Sequence, residues 1–281
     1  MLKVLKRFLI LLVIFILGVT GTVFLMNNET TDDRSDMNNP TLPELMVDFN
    51  GTLANRMYGY RQPMEADFVR DSVTSLDTTK KLTIAINPYD EKVKSLSYEV
   101  RTSDGTKIVE NRKIKDLNSS GSDGYLRAQI EINSGLLMNQ EYSMQLTVDT
   151  NDGEAYYYTR VVSRSSTNTQ AYVKFASDFA QMCMDKTSAD NLAAYLESAD
   201  SATTNFASVS IKSPLSVISW GNLNPQITKK GIPVIKEINE TTASISLEYE
   251  ICAANENGGA EYYNVTDFLP PALFGRPYSS A

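Results

Sequence analysis

Carboxylates are the only side chains with which this chain could run acid–base chemistry near neutral pH. It carries 34 aspartates and glutamates, two cysteines and no histidine. Without imidazole there is no Ser-His-Asp or Cys-His nucleophile, no histidine-ligated metal and no ordinary pH sensor. No lysine follows a serine at the S-x-x-K spacing, no glycine precedes a lysine, and G-x-G-x-x-G does not occur. Serine–lysine hydrolysis, a P-loop and a dinucleotide fingerprint are therefore excluded. "DTNDGE" at 149–154 has the polar character of a calcium loop, but its glycine is one place early and Arg160 stands where the bidentate glutamate belongs. It reads as a hairpin turn. We expect no catalytic residue, no cofactor and no metal. Glu65/Asp67 and Asp90/Glu91 are neighbours in sequence, whereas a glycosidase needs two carboxyls on opposite sides of a cleft.

What remains is contact chemistry. Tyr58, Tyr60 and Arg61 are the candidate partner-binding residues, since they lead into a long polar segment, 61–81, and long loops on rigid scaffolds are where binding concentrates. Tyr156 and Tyr158 share one strand face and Tyr157 takes the other, so part of that run belongs to a core. Tyr262, Tyr263 and the lone Trp220 read as strand packing and core anchoring. The formal charge is −8, which disfavours nucleic acid and anionic polymers as general partners and tolerates cations or basic peptides.

The elements that must hold these residues in place follow from periodicity. Strands are expected at 44–50, 53–60, 82–86, 95–101, 106–114, 125–132, 141–149 and 155–163. Leu96, Tyr98, Val100 and then Tyr142, Met144, Leu146, Val148 alternate with period two. "SDGT", "NSSGSDG" and "NDGE" supply the turns. A short helix is expected near Glu65–Asp71. After Ser166 the period changes: Tyr172, Phe175, Phe179 and Met182 mark a helix from Thr169 to Lys186. "TSAD" at 187–190 caps a second helix bearing Leu192, Tyr195, Leu196 and Ala199. Strands return at 207–212, 215–220, 232–238, 242–252 and 260–268, the last two joined by "AANENGG". Cys183 falls on the apolar helix face, and Cys252 lies opposite Ile245, Leu247, Tyr249 and Ile251 on a strand, so the two are expected not to pair.

Several of these residues carry a resemblance. "LTIAINPYDEKVKSLSYEVRTSDG" and "LLMNQEYSMQLTVDTNDGE" resemble the fibronectin type III module, or a looser immunoglobulin-like sandwich, over about 45–165. The resemblance implies that Tyr142 is a corner tyrosine whose hydroxyl meets nearby backbone. Ile86 replaces the module's tryptophan. The helix–helix–strand order over about 168–268 is similar to the NTF2-like, cystatin-like α+β roll. Family members that are enzymes use carboxylate–histidine pairs, which this chain cannot form.

Ahead of both halves, Phe8–Met26 is free of charge, with Lys3, Lys6 and Arg7 before it and Glu29, Asp32 and Asp33 after it. That pattern predicts an uncleaved transmembrane signal-anchor rather than a removed signal peptide. The expected order is a cytoplasmic tail at 1–7, an anchor at 8–26, a flexible stalk at 27–43, an all-β sandwich at 44–166, an α+β domain at 167–268 and a tail at 269–281. The location implied is a cell membrane, single-pass, with the bulk outside, in a bacterial envelope. N-x-[ST] sequons occur at Asn28, Asn50, Asn118, Asn239 and Asn264. The function expected is a non-catalytic binding, adaptor or assembly module at the cell surface, taking a protein or cell-envelope partner. The alternatives are a carboxylate-based envelope hydrolase and a regulator acting through the apolar helix.

Overall fold

Alternation along the strands decides where the first core lies. In the computed structural model, which describes residues 2–27, 40–65, 70–118, 123–166, 168–196, 209–210, 212–254 and 258–271, two sheets face each other. One has the order β2 (Thr52–Met57), β1 (Glu44–Phe49), β4 (Lys81–Asn87), β7 (Leu126–Glu131). The other runs β3 (Val73–Leu76), β9 (Gly153–Ser163), β8 (Glu141–Thr150), β5 (Val93–Thr102), β6 (Ile108–Ile114). Every second residue of the inner strands enters one cluster: Leu82, Ile84 and Ile86 from the first sheet, with Leu96, Tyr98, Val100, Tyr142, Met144, Leu146 and Val148 from the second. Removing such side chains from water supplies about 25 cal/mol per Å² of apolar surface. At the first hairpin Asn50 and Gly51 both take positive φ, 52° and 91°, the requirement of a two-residue type I′ turn.

The second half is a helix laid on a sheet. β12 (Ala243–Ala254) is the centre. β13 (Ala260–Leu269) pairs along its whole length on one side, and β10 (Gln226–Lys229) and β11 (Val234–Ile238) share the other side end to end. α2 (Thr169–Met184) presents Tyr172, Phe175, Ala176, Phe179 and Cys183 to Ile235 and Ile245. Ala180 and Met184 continue onto Leu247, Tyr249 and Ile251. Ala54, Val73 and Val162 of the first half belong to the same cluster as α2, and residues 39–281 form one compact unit.

Asn55 locks the two halves together. It is fully buried and sits at φ 53°, inside the β-bulge that shifts the register of β2 against β1. Its Nδ2 donates to the Val73 carbonyl at 2.9 Å and to Thr74 Oγ1 at 3.0 Å, while its Oδ1 accepts from the Ile235 N–H at 2.8 Å. Its own N–H donates to the Pro233 carbonyl at 2.8 Å. Arg160 repeats the bridge: Nη2 donates to the Lys236 carbonyl at 2.8 Å and Nη1 pairs with Glu141 at 3.0 Å. Arg164 Nη2 donates to the Ile238 carbonyl at 2.7 Å.

Several expectations are corrected. α1 (Leu2–Asn27) is a helix, but among the described residues no helix is long and apolar enough to cross a membrane. Gly18, Thr20, Gly21 and Thr22 follow one another closely in α1, and the two threonine hydroxyls donate back to the Ile16 and Gly18 carbonyls. The transmembrane anchor at 8–26, the signal-anchor and the single-pass cell-membrane location are thereby overturned. So is the fold class that begins with a spanning helix: the described residues are mostly β, in three sheets.

Residues 215–220 are not a strand. Leu215–Ile218 form a single helical turn, α4, behind Pro214, and Trp220 sits in the following turn at φ 65°, half-buried. α2 stops at Met184, and the second helix, α3, covers only Ala189–Ala193 after a 3-10 turn. Leu192 is buried, with Tyr195 and Leu196 packed beside it; Ala199 lies outside the described residues. Residues 28–39 of the stalk, half of the strand at 207–212 and the centre of the helix at 65–71 also fall outside them. Within the long segment, Val73–Leu76 form β3, which pairs parallel to β9.

Asn55→Ala should lower the unfolding free energy by about 2–4 kcal/mol, because it orphans three buried backbone or hydroxyl groups and forces alanine to positive φ. Asn55→Gly keeps the backbone conformation and should cost less. Urea titration followed by tryptophan fluorescence measures both.

Candidate functional site

A cleft of about 170 Å³ opens where the two halves meet. The first half supplies Arg56, Met57 and Tyr58 at the end of β2, Tyr60 just beyond it, Asp71 and Ser72 ahead of β3, and Tyr158 from β9. The second half supplies Ile232, Val234 and Lys236 along β11, with Ser246 and Glu248 on the outer face of β12. Such seams between packed units are where ligand clefts preferentially occur.

Each aromatic wall has a mechanical cause. Tyr60 is pinned by reciprocal backbone bonds to Tyr156, both 2.9 Å, which sets its ring 6.1 Å from that of Tyr158 at a 56° tilt. Tyr158 is buried, its hydroxyl accepts from the Met64 N–H at 2.7 Å, and burial raises its pKa above the ordinary tyrosine value. Tyr58 has 65% of its surface exposed. Between them the chain passes so close to Tyr157 that a Cβ on Gly59 would lie 2.8 Å from its hydroxyl oxygen. That hydroxyl donates to the Pro43 carbonyl at 2.6 Å. On the opposite wall a Cβ on Gly231 would lie 2.2 Å from the Glu248 carbonyl oxygen, so only glycine lets the β10–β11 link cross β12 there.

The charges are mixed. Arg56 Nε lies 3.1 Å from Glu44, which also accepts from Tyr89 at 3.1 Å. Asp71, Lys236 and Glu248 form no ion pair among the described residues. Of the three residues singled out from the sequence, Tyr58 and Tyr60 line the cleft and Arg61 does not; its Nη1 donates to the Asp152 carbonyl at 3.2 Å, in the β8–β9 turn. Tyr158 and the whole second-half wall were missed. Lys236, Ser246 and Glu248 are ordinary outward positions of β-strands in sequence, and only the seam gives them neighbours. Among the described residues no group of three His, Cys, Asp or Glu side chains could hold a metal ion. Both cysteines are free thiols.

A second cluster lies under α2, away from the cleft. Asp267 on β13 accepts from the Tyr249 hydroxyl at 3.0 Å. Burial pushes the Asp267 carboxyl up to about 6, with the Tyr249 bond pulling it part of the way back. Burial, then the nearby Asp267 charge, raises both the Cys183 thiol and the Tyr249 hydroxyl far above their usual range. No cation faces Asp267 among the described residues. The thiol is inert by its environment.

No family model and no curated protein sequence matches the chain. Among solved structures, the crystal structure of an engineered protein from the Northeast Structural Genomics Consortium is similar at 19% identity and a TM-score of 0.23, covering 33% of this chain and 18% of its own.

Asp267 also sets a pH dependence. Its folded-state pKa exceeds that of an unfolded aspartate, so the native protein holds the extra proton between about pH 4 and 6. Stability is therefore greatest below that window and falls as pH rises through it. Asp267→Asn should remove the slope and stabilise the protein at pH 7 by about 2–3 kcal/mol, read from denaturant midpoints at pH 4, 5, 6 and 7.

Proposed function

We propose that the chain is a non-catalytic binding module that seats a short segment of a partner protein in the seam cleft. The observation that carries this is the pair of tyrosines, Tyr58 exposed and Tyr60 held at its edge, standing over Tyr158 in a cleft with mixed charge. Tyrosine gives contact area at low entropic cost and is enriched where binding energy concentrates. Lys236 and Glu248 on the far wall offer a cation and an anion to the polar ends of such a segment.

The first half is read as an immunoglobulin or fibronectin type III-like sandwich. Supporting this are the order of its two sheets and the Tyr142 hydroxyl, which accepts from the Leu137 N–H at 3.0 Å as a corner tyrosine would. The second half is read as a relative of the cystatin-like roll, supported by one long helix across an antiparallel sheet.

One observation favours a second reading, a carboxylate hydrolase: Asp71 and Glu248 line the same cleft from opposite halves. Both are exposed. A random peptide library panned on the folded chain decides between the two. Under the binding reading, Tyr58→Ala should weaken the selected peptide at least tenfold, about 1.4 kcal/mol, with an unchanged melting temperature, and the peptide should be recovered intact. Cleavage of bound polymer that is lost in Asp71→Asn or Glu248→Gln, yet survives in Tyr58→Ala, would replace binding with hydrolysis.

A further inference from the structure

β13 is a ten-residue strand at the rim of its sheet, about 33 Å long, and among the described residues it pairs only with β12. Edge strands are normally guarded by lysine, proline, bulges or a covering element. β6, at the rim of the first half, follows that practice with Glu110, Arg112 and Lys113. β13 has neither lysine nor proline in AEYYNVTDFL, and its register with β12 runs unbroken from Ile245↔Leu269 to Ala254↔Ala260. The rim is thus long and regular in register, its charges, Glu261 and Asp267, are both acidic, and among the described residues no further strand covers it. Its outer face carries Phe268, 63% exposed, beside Ser246, and Thr266 beside Glu248.

The charge at this rim is one-sided. Asp267 is a half-buried carboxylate whose polar partner is the Tyr249 hydroxyl and which faces no cation among the described residues. Glu248 is exposed one strand inward. Pairing β13 with the β13 of a second copy, antiparallel about Asn264, would set Asp267 against Glu261 of the other copy and bring like charges together.

We propose that β13 is a docking edge for an extended cationic segment of another protein, which adds as a strand and sets a lysine or arginine beside Asp267. Main-chain bonds supply the affinity and the alternate cation supplies the selectivity. Phe268 covers the aliphatic stem or an apolar neighbour on the outer face. This edge is separate from the cleft, so each can fail without the other.

The probe is an acetylated, amidated nonapeptide alternating threonine and lysine, with threonine and glutamate in the control. Titration uses the full chain at pH 7.5, with hydrogen exchange read residue by residue. The lysine peptide should bind and slow exchange within 260–269. The glutamate peptide should bind at least tenfold more weakly. Asp267→Asn, which keeps the Tyr249 bond, and Phe268→Ala should each weaken the lysine peptide by fivefold or more while Tyr58→Ala leaves it unchanged. Equal affinity for Asp267→Asn, protection at 56–60 and 232–236 instead of 260–269, or a concentration-dependent dimer held through β13 would each overturn the proposal. So would β13 amides that are all protected before peptide is added, because the edge would then already be covered.

Discussion

A single carboxamide decides how this molecule is joined. Asn55 spends both of its side-chain functions and its own N–H on two separate segments, β3 and the Pro233–Ile235 start of β11. No other uncharged side chain of its size carries two donor hydrogens and an acceptor in a plane, tolerates positive φ and bears no charge to desolvate. Asn55 sits in a bulge between Ala54, which belongs to the second core, and Met57, which belongs to the first. The cleft is the space left beside that junction: Arg56, Met57 and Tyr58 follow Asn55 directly, and Val234 and Lys236 flank Ile235.

Charge reinforces the joint without dominating it. Arg160 and Arg164 each send a guanidinium arm to a carbonyl of β11, Lys236 and Ile238, while their other arms stay with Glu141 and Asn139 in the first half. Carbonyls are fixed acceptors, so these bonds hold geometry independently of pH. Asp267 is the contrasting case, a carboxylate whose burial is not offset by a positive charge, and its placement on an open rim links the cost of that burial to what the rim can accept.

Local periodicity carried the parts of the fold in which one face is buried and the other wet. Leu96–Val100 and Tyr142–Val148 alternate, and each inward residue is fully or nearly buried; Tyr172, Phe175 and Phe179 mark the covered face of α2 in the same way. Signals failed where an apolar run has no phase. Leu215, Val217 and Ile218 suit a buried strand as well as a helical turn, and the turn prevails behind Pro214. The charge-free run at the N-terminus indicated apolarity and length, yet among the described residues no helix is long and apolar enough to cross a membrane. β3 was hidden because a parallel partner lies 87 residues away, as the Ser72–Thr159 bond shows. The candidate site was half legible: Tyr58 and Tyr60 stood out as aromatics ahead of a long segment, but their opposite wall is made by tertiary contact alone.

The Asn55–Ile235 bond spans 180 positions of chain. Links of such separation form late, since the intervening polypeptide must first give up its freedom. During synthesis the strands that complete the seam leave the ribosome after the entire first half, so Tyr58 and Tyr60 wait on a finished sandwich for their facing wall. The cleft is completed only when β11 and β12 are in place, and a nascent chain halted before β11 carries its aromatic half with nothing opposite.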